Sequence, residues 1–395
     1  MVRSLASIST YILLEQERWF EKEMDFVAAY LKPGMSVVDV GANVGVYALS
    51  MARRVGPQGH VFAFEPSSET RALLVAGVRA NGLANMRVLS AALSDRPGQA
   101  VLGHGASSEL HALVTDGPGE SVTLTTLDAE DGAGHWQRVD FLKLDAEGAE
   151  EKILAAAQGF FKRHAPLVMF EVKAGNTVNT GLVDAFRALD FEVFRSLPEA
   201  ALLVPSGAQA DLDGYELNLF AVPRDKAALL AASGFLVTEH AAWQPSQNEV
   251  DLARRCLAAS PFYGAFKSFW RDMADVAEPY RAGLAGFAAW RFGTQDWAHR
   301  YAALMHAVSA FGEYARSNAS CASLSMLARA QHEAGQRAQA VGTLQALAHR
   351  LAGGDISVPV PFWPALSRFD SIDPGTQAAT FRASAAEWSD HLTGA

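Results

Sequence analysis

The stretch that decides the fold is VVDVGANVGVYALSMA, residues 37–52. An apolar β-branched run carries Asp39 near its end, a turn from Gly41 to Gly45 follows, and an apolar segment with helical spacing comes next. Glycine adopts positive φ at no steric cost and lets a ligand approach the backbone closely. The pattern therefore predicts a strand, a tight turn and a helix that begins beside a ligand site.

The next predicted strand, His60–Phe64, ends at Glu65, which lies 24 residues after Gly41. An acidic residue about 20 residues after the turn is typical of a site that grips ribose hydroxyls. A dinucleotide site needs G-x-G-x-x-G and places pyrophosphate at the helix N-terminus. This turn reads D-x-G-x-N-x-G, and Asp39 would repel a pyrophosphate. A nicotinamide-dependent dehydrogenase is therefore disfavoured, and S-adenosylmethionine, whose ammonium and sulfonium are cationic, fits better.

Two further apolar strands end in charged residues. In VDFLKLDAEGAEEKIL, residues 139–154, strand alternation places Lys143 and Asp145 on the same side. In LVMFEVKAGN, residues 167–176, Glu171 and Lys173 follow the apolar run. Ligands bind outside the carboxyl ends of parallel strands, so Asp145, Glu171 and Lys173 are candidates for catalysis. The alternative is that Glu171 and Lys173 merely pair and close the end of the sheet.

The carboxylates around Gly148 leave three roles open. Asp145 and Glu147 could act as a general base, could bind Mg²⁺, or could favour the start of the following helix. Glu150 and Glu151 are expected mainly to cap that helix or to lie on its surface. His111, in SSELHAL, is a further candidate base, although a lone histidine in a loop commonly has no special role.

Continuous apolar strands alternate with helical segments up to about residue 222, which predicts a mostly parallel α/β sheet covered on both faces. Residues 11–31 have helical spacing and predict a leading helix. Residues 98–135 are rich in glycine and predict an insertion over the sheet edge, with short strands at Gln99–Leu102 and Ser121–Leu124. The predicted domains are a lead-in, 1–34, an α/β domain, 35–240, and a helical domain, 241–395.

Charge and composition support this division. Residues 1–240 hold 20 basic and 30 acidic residues, so they account for the whole formal charge of −10. This balance disfavours nucleic-acid binding, which needs a basic surface. With two cysteines and no run of 18 apolar residues, the sequence predicts a cytoplasmic chain without a membrane span. The start of the chain reads as a helix and not as a signal peptide.

The helical part contains two similar stretches, AWRFGTQDWAHRYAALMHAV and ARAQHEAGQRAQAVGTLQAL. Ala328, Gly335 and Ala340 occupy small positions of a tetratricopeptide-like pair, and a plain helical bundle is the open alternative. The segment 358–364, VPVPFWP, is predicted to be extended and to pack its aromatic rings on the helices. This domain could bind a protein partner, associate with itself or present the acceptor.

The α/β part resembles the FkbM family of S-adenosylmethionine-dependent methyltransferases. The resemblance covers roughly residues 11–222 and rests on D-x-G-A-N-x-G, on F-E-P and on K-x-D-x-E-G-x-E, with ALSD at 92–95, SSEL at 107–110 and TLD at 126–128 between them. It implies the class I methyltransferase fold, which is Rossmann-like and doubly wound, with seven strands of which the last is antiparallel. It leaves the helical half unexplained.

The resemblance also implies S-adenosylmethionine as cofactor and methylation of a hydroxyl, often on a sugar or another secondary metabolite. The implied cofactor-binding residues are Asp39, Gly41, Ala42, Asn43, Gly45, Tyr47, Glu65, Pro66, Ala92 and Asp145. The base remains open among Asp145, Glu147, Glu171 and His111, with Lys173 beside them, and Mg²⁺ on Asp145 and Glu147 is a further option. The contrasting hypothesis is a methyltransferase-like scaffold with a helical interaction domain.

Overall fold

The computed structural model describes residues 12, 14, 19–103, 112–114, 118–174, 177–197, 200–206, 217–270, 272–372, 383 and 385–386. The chain divides into two compact units. The first contains Met1–Ser196 and Ala200–Phe235, and the second contains Leu197–Glu199 and Leu236–Ala395.

The first unit is built on an eight-stranded sheet. Its strands are β1 Ser36–Val40, β2 His60–Phe64, β3 Met86–Leu89, β8 Phe141–Leu144, β9 Leu167–Glu171, β12 Phe191–Ser196, β13 Leu203–Pro205 and β14 Asn218–Pro223. Their spatial order is β13-β12-β14-β9-β8-β1-β2-β3. The five strands from β9 to β3 are parallel, and β14 runs antiparallel to β9. This is the expected class I methyltransferase fold, except that the sheet gains an eighth strand, β13, at its edge.

The central position of β1 follows from its sequence. Its residues Val37, Val38 and Val40 are almost fully buried because β2 and β8 flank the strand and helices cover the sheet. Branched apolar side chains suit such a strand, since both of its faces are covered. The switch in strand order between β1 and β8 opens a crevice at the carboxyl edge, which is where α/β sheets bind ligands.

The first unit contains eight helices within its described residues, of which the sequence predicted the main ones. They are α1 Glu23–Tyr30, α2 Val46–Val55, α3 Ser68–Ala80, α4 Leu127–Gly132, α5 Glu150–Ala155, α6 Gln158–His164, α7 Gly181–Ala188 and α8 Ala227–Ala232. Ser67 caps α3, because its side chain accepts the Thr70 N–H. The sequence did not predict α4, α6 or α8, which are short helices with both buried and exposed residues.

The glycine-rich insertion forms a second sheet. Its strands are β4 Ala91–Leu93, β5 Gly98–Gly103, β6 Ala112–Val114 and β7 Gly119–Thr125, in the order β4-β7-β5-β6. The two predicted strands are present as β5 and β7, each slightly longer than expected. Gly119 is required here, since a Cβ atom would lie 2.3 Å from the Leu102 carbonyl oxygen.

The single leading helix predicted for residues 11–31 is wrong within the described residues. The helix α1 begins only at Glu23, and residues 19–22 lie outside it. Hydrogen bonds explain the break: the Glu21 carboxylate accepts from the Tyr47 hydroxyl at 2.7 Å and from the Asn218 amide at 3.1 Å. These contacts hold the segment before α1 against the carboxyl edge of the sheet.

The second unit is built mainly from helices. Its helices are α9 Gln247–Ala259, α10 Pro261–Phe266, α11 Glu278–Phe292, α12 Trp297–Ser317, α13 Cys321–Glu333 and α14 Arg337–Ala352. Short connections join α11 to α12 and α13 to α14. Gly286 of α11 lets the helices meet, because a Cβ atom there would lie 2.6 Å from the Ala303 carbonyl oxygen. None of the helices in the described part of the chain combines the length and apolarity needed to cross a membrane.

The extended segment predicted at residues 358–364 is confirmed. It contains no helix, and Phe362 packs its ring on Phe262 and Phe266, while Trp363 contacts Phe287. The Tyr280 hydroxyl donates a hydrogen bond to the Pro361 carbonyl at 2.8 Å. The proline-rich stretch therefore serves as an apolar cover for this helical unit.

Candidate active site

A cavity of about 330 Å³ opens at the carboxyl edge of the first unit's sheet. Its lining comes from the turn after β1, from the ends of β2, β8 and β9, from the start of β14 and from the segment before α1. The residues involved include Trp19, Phe20, Glu21, Asp39, Gly41, Ala42, Asn43, Tyr47, Glu65, Pro66, Ala92, Lys143, Asp145, Glu147, Glu171 and Asn218. The cavity thus brings together the turn after β1 and the ends of β2, β8 and β9, which carry the D-x-G-A-N-x-G, F-E-P and K-x-D-x-E-G-x-E motifs and Glu171.

The turn after β1 owes its shape to glycine. Gly41 has φ +75° and packs so closely on β8 that a Cβ atom would lie 1.8 Å from the Asp145 carbonyl oxygen. Gly45 has φ +96° and begins α2 against Leu49 and Leu74. Asn43 also has positive φ, +49°, which asparagine tolerates better than most residues. The turn is therefore shaped by its own residues before any ligand arrives.

Asp39 is the most unusual charged residue in the cavity. Its side chain is 0% exposed, and neither carboxylate oxygen has a hydrogen-bond partner among the described residues. Burial raises its pKa to about 6, despite the nearby Lys143 ammonium. A buried carboxylate without partners costs free energy. Such a group is what a cationic ligand would satisfy.

Glu65 lies at the end of β2, on the opposite side of the turn. Its two oxygens accept the backbone N–H groups of Asn43 and Ser67, each at 2.9 Å. Burial raises its pKa to about 7, although these two hydrogen bonds act in the other direction. A carboxylate has about four acceptor positions, so Glu65 keeps acceptor capacity toward ribose hydroxyls.

Lys143 and Asp145 share one side of β8, as strand alternation predicted. The Lys143 Nζ lies 2.6 Å from Asp145 Oδ2, and it sits over the Tyr47 ring at 5.2 Å. Burial alone would lower the pKa of Lys143, but the carboxylates of Asp145 and Asp39 more than offset this and raise it. Lys143 therefore stays charged inside the protein. The sequence analysis saw Lys143 in its motif but gave it no role.

A carboxyl cluster forms beside this ion pair. Oxygen atoms of Asp145, Glu150 and Glu171 lie within 4.8 Å of one another. Burial, then the Asp145 charge and a hydrogen bond with Asp145, raise the pKa of Glu171 to about 9. Glu171 is therefore protonated near neutral pH and shares its proton with Asp145, as close carboxyl pairs do.

The expected metal pair, Asp145 with Glu147, is not the group that the structure brings together. Glu147 is not in the carboxyl cluster, and Glu150 takes its place. Glu150 accepts the N–H groups of Ala146 and Gly148, which belong to the turn before α5. It is buried and not on the helix surface, and no side-chain hydrogen bond caps the start of α5. Lys143 and the shared proton offset two of the three carboxylate charges of this cluster. Nothing in the cluster favours Mg²⁺ specifically.

The cavity also contains residues that the sequence analysis missed. Glu21, which accepts hydrogen bonds from Tyr47 and Asn218, lies in the lining together with the aromatic rings of Trp19 and Phe20. Asn218 is only 5% exposed and pairs with Glu171 across β14 and β9. No local sequence motif predicts these residues as part of the site, because the fold brings them to the cavity from distant parts of the chain.

Two predicted site residues cannot be placed. His111 lies outside the described residues, and of Lys173 only the backbone, in the short strand β10 Lys173–Ala174, is described. That strand pairs with β11 Thr177–Val178. Gly45 is the one predicted cofactor residue that does not line the cavity, since it shapes the start of α2 instead.

The comparisons with known proteins bear on this site. The family model described as the methyltransferase FkbM domain matches residues 39–193, from the aspartate at the cavity floor to β12. Residues 39–193 form a methyltransferase FkbM domain. This confirms the resemblance on which the sequence analysis relied.

Solved structures similar to the chain include the FkbM methyltransferase from Methylobacillus flagellatus KT, with 15% identity, a TM-score of 0.34 and coverage of 56% of each chain. The O-methyltransferase from Thermotoga maritima has 17% identity, a TM-score of 0.30 and coverage of 56% of this chain and 71% of its own. Aeropyrum pernix fibrillarin with bound S-adenosyl-L-methionine has 13% identity, a TM-score of 0.29 and coverage of 48% and 67%. The match to the Methylobacillus protein thus spans little more than half its length. No curated protein sequence matches the chain.

The shared proton of Glu171 leads to a prediction for Glu171→Gln. The folded state of the FkbM domain binds this proton up to about pH 9, whereas an unfolded glutamate releases it near pH 4.5. The contribution of Glu171 to the free energy of unfolding is therefore complete below about pH 4.5, and it declines as the pH rises toward 9. The glutamine variant should melt at a higher temperature than the wild type at pH 8.5, and the difference should shrink at pH 5.

Thermal melts across this pH range provide the measurement. Glu151→Gln is the matched control, because Glu151 is an exposed residue of the neighbouring helix α5. It should leave the pH dependence unchanged. Parallel melting curves for the wild type and Glu171→Gln at all pH values would show that Glu171 carries no such proton.

Proposed function

We propose that the chain is an S-adenosylmethionine-dependent O-methyltransferase whose site is the cavity of the FkbM domain. The observation that carries the proposal is Asp39, a fully buried carboxylate without a described hydrogen-bond partner, in the same cavity as Glu65. In this proposal Asp39 holds a cationic group of the ligand, and Glu65 binds the ribose hydroxyls. A nucleoside cofactor with a positively charged amino-acid end has both of these groups.

S-adenosylmethionine, when bound, supplies an electrophilic methyl group on a sulfonium. The protein then has to hold an acceptor hydroxyl in line and take its proton. Asp145 is placed for this role, since it lines the cavity and is oriented by the 2.6 Å contact with Lys143. Glu171, which shares a proton with Asp145, positions the Asp145 carboxylate and supplies a second place for a proton.

We propose a sugar, a glycan or a glycosylated metabolite as the acceptor. The cavity lining includes the rings of Trp19 and Phe20 together with the polar groups of Glu21 and Asn218. Aromatic faces next to carboxylate and amide groups suit a molecule with apolar C–H faces and hydroxyl edges. A non-sugar metabolite with a similar hydroxyl is the second acceptor class that this lining accommodates.

Calorimetric titration with S-adenosylhomocysteine tests the proposal. The wild-type chain should bind it, and Asp39→Asn should weaken binding about 10- to 100-fold, since a charge-assisted hydrogen bond contributes about 1.5–3 kcal/mol. The same variant, without ligand, should melt at a higher temperature at pH 8, because it removes a buried charge whose pKa is raised to about 6.

The control variant is Asp190→Asn. The carboxylate of Asp190 is 80% exposed, and Asp190 does not line the cavity. It should change neither binding nor melting. Absence of binding by folded wild-type protein would contradict the proposed function, and binding without turnover on any hydroxyl acceptor would favour the scaffold hypothesis.

A further inference from the structure

The segment before α1 contributes two aromatic rings and a carboxylate to the cavity lining. The ring centroids of Trp19 and Phe20 lie 4.9 Å apart, with the ring planes inclined at 52°. Glu21 follows these two residues, and its Oε2 atom accepts hydrogen bonds from the Tyr47 hydroxyl at 2.7 Å and from the Asn218 amide at 3.1 Å. The two hydrogen bonds therefore fix a carboxylate beside a pair of aromatic rings.

This group has bonding capacity that no contact in the described part of the chain uses. Both hydrogen bonds to Glu21 end on Oε2, so Oε1 keeps its acceptor positions. The indole N–H of Trp19 is buried and has no hydrogen-bond partner among the described residues. A carboxylate oxygen beside aromatic faces suits an ammonium group, which gains a charge-assisted hydrogen bond and a cation–π attraction. The indole N–H suits a hydroxyl oxygen of the same ligand.

The charge of the whole lining also favours a cation. Within the described residues, six carboxyl side chains line the cavity but only one ammonium does so. The carboxyl groups are those of Glu21, Asp39, Glu65, Asp145, Glu147 and Glu171, and the ammonium is that of Lys143. Burial and the neighbouring Asp145 charge raise the pKa of Glu171 to about 9, which leaves five carboxyl groups to carry negative charge. Lys143 and a cofactor of net charge +1 offset two of these five. The remaining excess of up to three negative charges attracts a cationic acceptor and repels an anionic one.

Tyr47 connects the Glu21 carboxylate with the proposed proton acceptor. Its hydroxyl donates to Glu21, and the Lys143 ammonium, which lies 2.6 Å from Asp145 Oδ2, is 5.2 Å from the centre of the Tyr47 ring. Glu21 and Asp145 are therefore parts of one continuous polar wall of the cavity. A sugar that carries both an ammonium and a hydroxyl matches this pair of carboxylates.

We infer that the acceptor is an amino sugar, or a glycoside of one, whose ammonium group is bound by Glu21 together with the rings of Trp19 and Phe20. The inference rests on the proposed function and deepens it, because it names the charge class of the acceptor. It also assigns the choice of acceptor to a residue outside the glycine turn and the strand ends. Asp145 keeps its role as the group that takes the proton of the hydroxyl.

Saturation-transfer NMR with a matched series of sugars tests the inference. The probes are methyl glycosides of glucose, galactose and mannose, each in three forms that differ only at C6: an amine, the parent hydroxyl or a carboxylate. The protein is the full-length chain with S-adenosylhomocysteine at pH 7.5. In at least one series the amine should bind about 10- to 100-fold more tightly than the parent, as expected for one charge-assisted contact, and the carboxylate should bind most weakly. Equal binding of amine and parent in every series, or binding of none of the sugars, would overturn the inference.

Glu21→Gln tests whether Glu21 is the residue responsible. Glutamine keeps a carbonyl oxygen for the hydrogen bonds from Tyr47 and Asn218 but removes the negative charge. In this variant the amine should bind within about 3-fold of the parent sugar, and the carboxylate form should bind more tightly than it does to the wild type. If Glu21→Gln keeps the full preference for the amine, Glu21 does not bind the ammonium group.

Two controls separate this result from other effects. Asp25→Asn removes the same charge from an exposed position of α1 that does not line the cavity, so it should leave the ranking of the sugars unchanged. An equal loss of the amine preference in Asp25→Asn and Glu21→Gln would assign the preference to long-range charge and overturn the role of Glu21. Calorimetric titration of S-adenosylhomocysteine into the same samples separates the two proposals. A folded wild type that does not bind it contradicts the proposed function, whereas binding without the sugar ranking overturns only the inference about the acceptor.

Discussion

Gly41→Ala should unfold or strongly destabilise the FkbM domain. A Cβ atom at this position would lie 1.8 Å from the Asp145 carbonyl oxygen, and the backbone φ of +75° disfavours any L side chain. The obstacle cannot move away easily, because the Asp145 N–H is hydrogen-bonded to the Val40 carbonyl on β1. Overpacking costs about 1–3 kcal/mol and left-handed backbone about 1–2 kcal/mol. The total is a large share of a typical domain's stability, about 5–15 kcal/mol.

Gly34→Ala is the matched control for this prediction. Gly34 has φ +86°, close to that of Gly41, but nothing lies within 4 Å of the Cβ position. It should lose only the backbone contribution, about 1–2 kcal/mol. Scanning calorimetry of the full chain, with S-adenosylhomocysteine titrations on any folded material, measures both effects. Equal losses for the two variants would mean that the contact with Asp145 does not limit the turn.

Much of the fold was predictable because its central strands are locally encoded. The runs that became β1 and β2 are apolar or β-branched and are bounded by turn residues, and β2 has the predicted bounds, His60–Phe64. The placement of Lys143 beside Asp145 followed from strand alternation alone. The neighbouring positions of β1 and β8 also brought Asp145 to the glycine turn, as expected for strands that end at one edge.

The rest of the site depends on long-range contacts that a single sequence does not reveal. Glu21 reaches Asn218 across 197 positions of the chain, and the segment around Glu21 reads as helix because its apolar residues have helical spacing. Hydrogen bonds to the cavity override that local preference. Glu150 was expected to cap the helix or to lie on its surface for a similar reason, since its sequence shows a helix start but not the carboxyl cluster around it.

The helical unit illustrates a different limit. Its two similar stretches both form a helix, a short turn and a second helix, but Gly335 has positive φ whereas Gly293 is extended at φ −69°. The glycines at matching positions of the two stretches therefore have different backbone conformations and form different turns. The tetratricopeptide-like assignment and the boundary at residue 240 stay predictions, and so do partner binding and self-association through this unit.

Arg329→Met should destabilise the helical unit more than any exposed substitution in it. Arg329 is 1% exposed and makes two hydrogen bonds to Asp370, at 2.5 and 2.6 Å, one to Glu333 at 3.0 Å and one to the Pro364 carbonyl at 3.1 Å. Removing the guanidinium leaves the buried Glu333 without this cation and releases the chain around Pro364 from α13. Breaking a buried pair in this way costs about 3–5 kcal/mol.

Arg350→Met on α14 is the control, because it removes an exposed arginine–aspartate pair and so separates the effect of burial from the loss of an ion pair. Arg350 also pairs with an aspartate, at 2.7 Å, but the side chains of Arg350 and Asp355 are 38% and 36% exposed. An exposed pair contributes about 0–1 kcal/mol, so this variant should melt within a few degrees of the wild type. Arg329→Met should melt roughly 10 °C lower, since about 1 kcal/mol shifts a unit of this size by about 2–4 °C. Arg329→Lys should fall between them, because a lysine keeps the charge but cannot make the paired contact with Asp370. Equal melting temperatures for the two methionine variants would mean that the contacts of Arg329 do not hold the extended segment in place.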